Sequence, residues 1–413
     1  MLTVSATGSF PLCARPNMEE EARDKLQALA TLVHNATETL QPNGLLLTGS
    51  FARGEGVIIC EDGLGPRWLS DVECLLVFPD DTHISQRKID EVIRRARCAF
   101  DQDLARHANG LKIDLSPIRV GRLARMRPAI FTKELTIHGK LLWGDPAAIR
   151  MPPDVPDGWD LRHDALRLLN NRIVEHLRTR LQYESPCIDR MLLLYSLNKF
   201  WEEMTTSLSV FLNLYAPSYR ERSERLAVAL GGDKAAPLPE IGVNLQTRLA
   251  WANAFRFSCV DATSQVNVQA DLDAAATTAE WLWWWETSKI LGANSRGANW
   301  REIGSQLRRV QTRGQVLRDW ARLVLRCGAR GTATFRSLPE AFRAGSFGSA
   351  VYAAALAILF FWDDFTNEAR GHDLVIALSR FLGVAAAVNP AGRTKLAERT
   401  YSVWANYLRG AAA

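Results

Sequence analysis

The sequence predicts an α+β protein, with a mixed β-sheet core and flanking helices first and a large all-helical region after it. Three observations predict this. Short apolar runs at 45–47, 72–78 and 113–115 have the length and patterning of strands. A stretch crowded with Pro146, Pro152, Pro153, Pro156 and Gly158 then interrupts the chain. From Asp160 onward, apolar residues recur at helical spacing almost to the end. The expected domains are therefore 1–150, a helical domain 151–292 and a C-terminal helical domain 293–413, the last division falling near Gly292-Ala293-Asn294.

Taken in order, residues 16–39 read as a first helix. Leu26, Leu29, Ala30 and Val33 share a face, and Glu19, Glu20 and Glu21 sit where the helix dipole favours acids. Asn43-Gly44 turns the chain into the first strand. Residues 85–107 form a polar amphipathic helix with Arg94, Arg95 and Arg97, and Asn109-Gly110 turns into the strand that carries Asp114. Residues 134–143 (ELTIHGKLLW) read as one more strand or hairpin. Helices are expected from 160 to 181, from 186 through the long apolar run to about 216, and at 219–230, 244–257, 271–291, 300–325, 338–342, 346–362, 373–387 and 393–408, with a loop at 231–239.

Composition sets bounds. The 413 residues allow more than one core. A net charge of +5 favours an anionic ligand but is too small to imply a long nucleic-acid footprint. Seven scattered cysteines without a C-x-x-C pair argue against a zinc ribbon and fit a reducing cytoplasm. The N-terminus lacks a basic n-region and an apolar core, so no secretory signal is expected. The most apolar window, 350–362, is too short to span a bilayer and reads as a buried helix, so no membrane partner is expected. Oligomeric state is left open.

The chemistry concentrates between residues 45 and 78. Apolar residues 45–47 lead into Thr48, Gly49 and Ser50, and the next run carries Asp71 and Glu73 separated by Val72. Side chains alternate along a strand, so both acids share a face while Val72 points to the core. Two adjacent carboxylates repel unless a cation lies between them, and a hard divalent ion suits oxygen donors. Gly49 admits close backbone approach, Ser50 adds a hydroxyl, and a helix from Phe51 would present free N–H groups to a phosphate.

Gly49-Ser50 followed by Asp71-Val72-Glu73 on an apolar strand, with Asp114 on a later one, resembles the signature of the polymerase-β-like nucleotidyltransferases, including their aminoglycoside-modifying members. The resemblance covers about the first third of the chain. The interval 51–70 is longer than in many members, and Glu61, Asp62, Gly63, Gly65 and Pro66 within it read as an extra hairpin or loop.

The resemblance implies a nucleotidyltransferase-type core. It implies two Mg²⁺ ions, or Mn²⁺, held by Asp71, Glu73 and Asp114, which are also the catalytic residues. It implies a nucleoside triphosphate, with ATP expected, seated on Gly49 and Ser50. A nucleoside monophosphate would pass to a hydroxyl, with pyrophosphate leaving. Arg53 and Lys199 are the further nucleotide-binding candidates, Lys199 because helical-domain lysines of this superfamily reach the triphosphate. A small-molecule acceptor is favoured. An RNA 3′ end or a protein side chain is the alternative, as is a non-catalytic nucleotide-binding scaffold.

Other features are weaker. Arg119, Arg122, Arg125 and Arg127 make a basic segment best read as a solvated face. Residues 215–225 (YAPSYRERSER) read as a capped surface helix rather than a cleft wall. Trp281, Trp283, Trp284 and Trp285 go round most of a helix, so core or interface packing is expected over base stacking. Asp363-Asp364 diverge on a helix, and His138 and His163 are isolated.

Overall fold

The computed structural model describes residues 16–61, 65–82, 87–92, 94–95, 98, 112–231, 242–257, 266–292, 299–327 and 344–407. The architecture is mixed α+β, with a small four-stranded sheet and a large helical region. Much of the helix expected at 85–107, the turn at 109–110, the loop at 232–239 and the helix expected at 338–342 lie outside the described residues.

Strands β1 (Gly44–Thr48), β2 (Ile58–Glu61), β3 (Gly65–Trp68), β4 (Val72–Phe78), β5 (Ile113–Arg119) and β6 (Lys140–Gly144) form two sheets. The main sheet has the order β5-β4-β1-β6, with β4 and β5 parallel and the other pairs antiparallel. Alternation along β4 sends Val72, Cys74, Leu76 and Phe78 into one cluster and Leu75 and Val77 into another. The first cluster is covered by α1 (Glu19–Thr37), through Leu26, Leu29 and Val33, and by residues Ile89 and Val92.

The opposite face, which is also the Glu73 face, is covered by α3 (Val120–Ala124) and α4 (Ile130–His138), the single turn α2 (Gly49–Ala52) having preceded them in the chain. The expected strand over 134–143 is therefore half wrong. Only 140–144 is a strand, and 130–138 is a helix. The polar–apolar alternation of Glu134-Leu135-Thr136-Ile137 imitates a strand, but Leu135 packs on the sheet while Ile137 is exposed. Gly139 ends this helix where a Cβ would lie 2.5 Å from the Leu135 carbonyl oxygen.

The segment 51–70 contains the extra hairpin, β2–β3. Its alternation has a use. Ile58 and Trp68 face the sheet core, whereas Val57, Ile59 and Leu69 belong to the core of the helical region. Arg67 pairs with Asp189 beyond the proline-rich stretch. The insertion thus ties the two parts together.

The helical region comprises α5 (Arg162–Tyr183), α6 (Arg190–Phe211), α7 (Tyr219–Gly231), α8 (Gly242–Phe257), α9 (Val268–Leu291), α10 (Trp300–Val310), α11 (Arg313–Cys327), α12 (Phe347–Phe360), α13 (Glu368–Leu382) and α14 (Pro390–Tyr407). The single helix expected over 300–325 is two. Thr312 Oγ1 accepts from Gln315 N at 3.2 Å and Gln315 Oε1 from Thr312 N at 2.7 Å, a reciprocal capping box that starts a new helix. Asn367 caps α13, which starts at Glu368, five residues before the expected start at 373.

Residues on both sides of the division expected near 292 contribute to one hydrophobic core, from Leu177 and Trp201 to Leu356 and Trp404. Trp283 and Trp284 are buried in it, and Trp281 and Trp285 stack on each other at its margin, 5.9 Å apart. Among the described residues, no helix is long and apolar enough to cross a membrane.

Candidate functional site

Thr48, Glu73 and Asp114 lie in one row across β1, β4 and β5. Registered neighbours share a face, so Glu73 and Asp114 project from the same side of the sheet. Thr48 Oγ1 donates to the Glu73 carbonyl at 3.2 Å. Gly49 follows at φ +67°, and a Cβ there would lie 2.5 Å from Glu73 Oε2. Only glycine both tolerates that backbone and leaves room for the carboxylate. The helix expected from Phe51 is the one-turn α2, so it supplies no extended set of free N–H groups.

A cavity of about 220 Å³ opens beside this row. Gly49, Ser50, Arg53, Asp71 and Glu73 line it from the sheet side, and Lys199 from α6 faces them. Asp114 is exposed next to Glu73 but is not part of the cavity wall. Asp71 meets two ammonium groups. Lys112 pairs with it directly, and Lys199 Nζ lies 4.0 Å from its Oδ2. Burial pushes the Glu73 carboxyl above its ordinary range. The charges of Asp71 and Asp114 push the same way, and Lys199 and Arg53 only partly offset them. Burial would lower Lys199, yet its anionic surroundings, Asp71 among them, hold its affinity for the proton above the ordinary lysine value. Among the described residues, no cluster of three or more His, Cys, Asp or Glu side chains is drawn together tightly enough to enclose a metal ion.

The helical wall is built from ion pairs. Arg256 of α8 forks onto Glu202 of α6 and also donates to the Glu55 carbonyl. Arg53 donates to Glu55 at 3.1 Å and to Glu134 at 2.6 Å. Glu134 also accepts from Tyr215 at 3.1 Å and Arg222 at 3.3 Å. Arg172 of α5 reaches Glu203 at 3.3 Å, and Glu203 accepts from the Tyr219 hydroxyl at 2.9 Å. The Tyr219 ring has the guanidiniums of Arg53, Arg222 and Arg256 between 4.5 and 4.8 Å from its centroid. Burial would raise Glu203, but Arg172 and Arg222 bring it below the ordinary carboxylate range.

The structure thus brings Gly49, Ser50, Arg53, Asp71, Glu73 and Lys199 to one cavity and sets Asp114 beside it. Arg53 is heavily committed to protein carboxylates, so its placement also braces the wall. The reading of 215–225 as a surface helix is corrected. Tyr219 and Arg222 are buried, and Tyr219 lines the cavity. Sequence reasoning also missed Glu134, Asn171, Arg172, Tyr195, Glu203 and Arg256. Glu202-Glu203 within an apolar helix was a usable signal, because a buried acid needs a partner. Nothing local marked Arg256, which is far from its partners in sequence.

Arg119, Arg122, Arg125 and Arg127 are exposed, as expected of a solvated face. His138 is the last residue of α4, and Asp364 pairs with Arg370 at 3.2 Å. Comparison of this chain with protein-family models, with curated proteins and with solved structures returned no match.

Proposed function

We propose that this protein is a divalent-metal-dependent nucleotidyltransferase that moves a nucleoside monophosphate from a nucleoside triphosphate to a hydroxyl of a small molecule. One observation carries the reading. A half-buried carboxylate, Glu73, stands beside Asp71 and Asp114 at the edge of a cavity that also presents Gly49, Ser50 and Lys199. Burial and its acidic neighbours hold that carboxyl above its ordinary range although Lys199 and Arg53 partly offset them, and a cation bound there would relieve the remaining repulsion.

The donor set fits Mg²⁺ or Mn²⁺, since all three candidate ligands, Asp71, Glu73 and Asp114, are carboxylates. Ions held there would neutralise the triphosphate and stabilise the entering and leaving oxygens. The chain's own groups do the rest. Gly49 lets phosphate oxygens approach the backbone, and Ser50 offers a hydroxyl donor. Lys199 adds positive charge where pyrophosphate develops. Asp114, outside the cavity wall and open to solvent, is placed to take the proton from an acceptor hydroxyl as its oxygen bonds to the α-phosphorus and the bond to pyrophosphate breaks.

A second reading, a nucleotide-binding module without catalysis, draws on the Lys112–Asp71 pair, which already neutralises one of the three acids. Calorimetry with nucleoside triphosphates, with and without Mg²⁺, tests both. Metal-dependent binding in wild type that is lost in Asp71→Asn supports a metal-centred site. Labelled nucleotide incubated with a metabolite extract and followed by mass spectrometry then tests transfer. An acceptor that gains a monophosphate unit supports the enzyme, and binding without any pyrophosphate release supports the module.

A further inference from the structure

We propose that Lys112 is a resident counter-ion of the carboxylate site, an ammonium that a divalent cation displaces from Asp71 as it binds. The inference rests on the metal-binding reading above and concerns what the metal competes with.

Backbone pairing puts Lys112 in place. Strands β4 and β5 run parallel, with Val72 opposite Ile113 and Glu73 opposite Asp114. One step earlier, the Val72 N–H donates to the Lys112 carbonyl at 2.9 Å, so the same register extends to Asp71 and Lys112. Residues two apart on a strand share a face. Asp71, Glu73, Lys112 and Asp114 therefore make a two-by-two patch of three acids and one base. Within it, the Lys112 ammonium donates to Asp71 Oδ2.

The two lysines at that oxygen are held differently. Lys199 lines the cavity, and its Nζ lies 4.0 Å away. Lys112 makes the direct pair but is not part of the cavity wall, and its side chain is 42% exposed against 21% for Lys199. Lys112 can therefore leave Asp71 for solvent, on a flexible stem. An exposed ion pair contributes little, so breaking it is cheap. A divalent ion on the same carboxylate stands within a few ångströms of the ammonium and repels it. The ion also binds several carboxylate oxygens at once, which one ammonium does not match. Until metal arrives, Lys112 makes the crowding of acids tolerable. Its presence sets the metal affinity below what the acids alone would give.

Mn²⁺ without nucleotide is the probe, with the free ion counted by electron paramagnetic resonance. Lys112→Met should bind Mn²⁺ about fivefold more tightly than wild type, the upper end of what an exposed ion pair contributes. Lys395→Met removes an exposed lysine of α14 that does not line the cavity, and should match wild type. A second measurement needs no substitution. Acetylation of wild type by a water-soluble succinimidyl ester, read by peptide mass spectrometry, should speed up at Lys112 when Mg²⁺ is added and stay constant at Lys395. In a wild type that binds Mn²⁺, three results each overturn this inference alone: an affinity no tighter in Lys112→Met, an equal gain in Lys395→Met, or Lys112 labelling indifferent to Mg²⁺. Failure of both wild type and Lys112→Met to bind Mn²⁺ overturns it together with the metal-binding reading.

Discussion

On the helical side, Glu202 and Glu203 are buried against arginines, and on the sheet wall of the cavity the half-buried Glu73 stands beside two more acids that Lys199 and Arg53 only partly offset. The same side chain is pushed in opposite directions, the buried Glu203 below the ordinary carboxylate range and the half-buried Glu73 above it. Charge compensated within the protein braces a wall. On the proposed reading, charge left partly uncompensated would be met by a bound cation. The contrast in charge separates the braced wall from the candidate site.

Breaking the helical wall should have the largest effect. Arg256→Met leaves Glu202 buried without its forked partner and removes a donor to the Glu55 carbonyl. Loss of one member of a buried pair costs about 3–5 kcal/mol. Chemical denaturation should show a loss of that order, and nucleotide binding should fall with it because Arg256 and Arg53 share the Tyr219 ring. A loss below about 1 kcal/mol would mean the network is not what holds the wall.

A pH titration of stability sharpens the comparison with an acid that does not line the cavity. Glu286, fully buried on α9, has its carboxyl pushed up to about 8 by desolvation. An acid whose folded pKa exceeds its unfolded one binds more protons folded, so its contribution is complete below about 4.5 and is lost as pH rises to about 8. The slope from this one group is at most about 1.4 kcal/mol per pH unit. Glu286→Gln should flatten the pH dependence in that window and leave Mg²⁺-dependent nucleotide binding unchanged.

The smallest effect on stability belongs to the residue with the largest effect on binding. Glu73→Gln removes an acid that its neighbours disfavour, so thermal stability should stay within about 1 kcal/mol of wild type or rise. Metal-dependent nucleotide binding should nevertheless disappear in calorimetry. Marked destabilisation would show that Glu73 is a structural acid like Glu203, and the contrast between the walls would fail.

Parts of this were legible in the sequence, for stated reasons. Strand β4 reads from its nearly continuous apolar run, because a strand buried on both faces demands one. The Thr312–Gln315 capping box was present as T-R-G-Q, yet the helical periodicity around it hid the break. Residues 134–138 alternate like a strand, and only the packing of Leu135 on a sheet face made them a helix. Tyr219 and Arg222 sit in a run that is polar enough for any surface, and their burial depends on Glu134 and Glu203 arriving from elsewhere.

What the sequence by itself determined is local: which segments alternate, where a glycine precedes an acid-bearing strand, and that Asp71 and Glu73 share a face. Those properties follow from backbone geometry within a few residues. Tertiary structure alone decided that Asp114 stands in register with Glu73, that arginines from three separate segments surround one tyrosine ring, and that Trp404 orients Asn171 from the far end of the chain. Hydrogen bonds and charge pairs act over a few ångströms of space whatever the separation in sequence, so a linear reading can name such groups without telling which of them will meet.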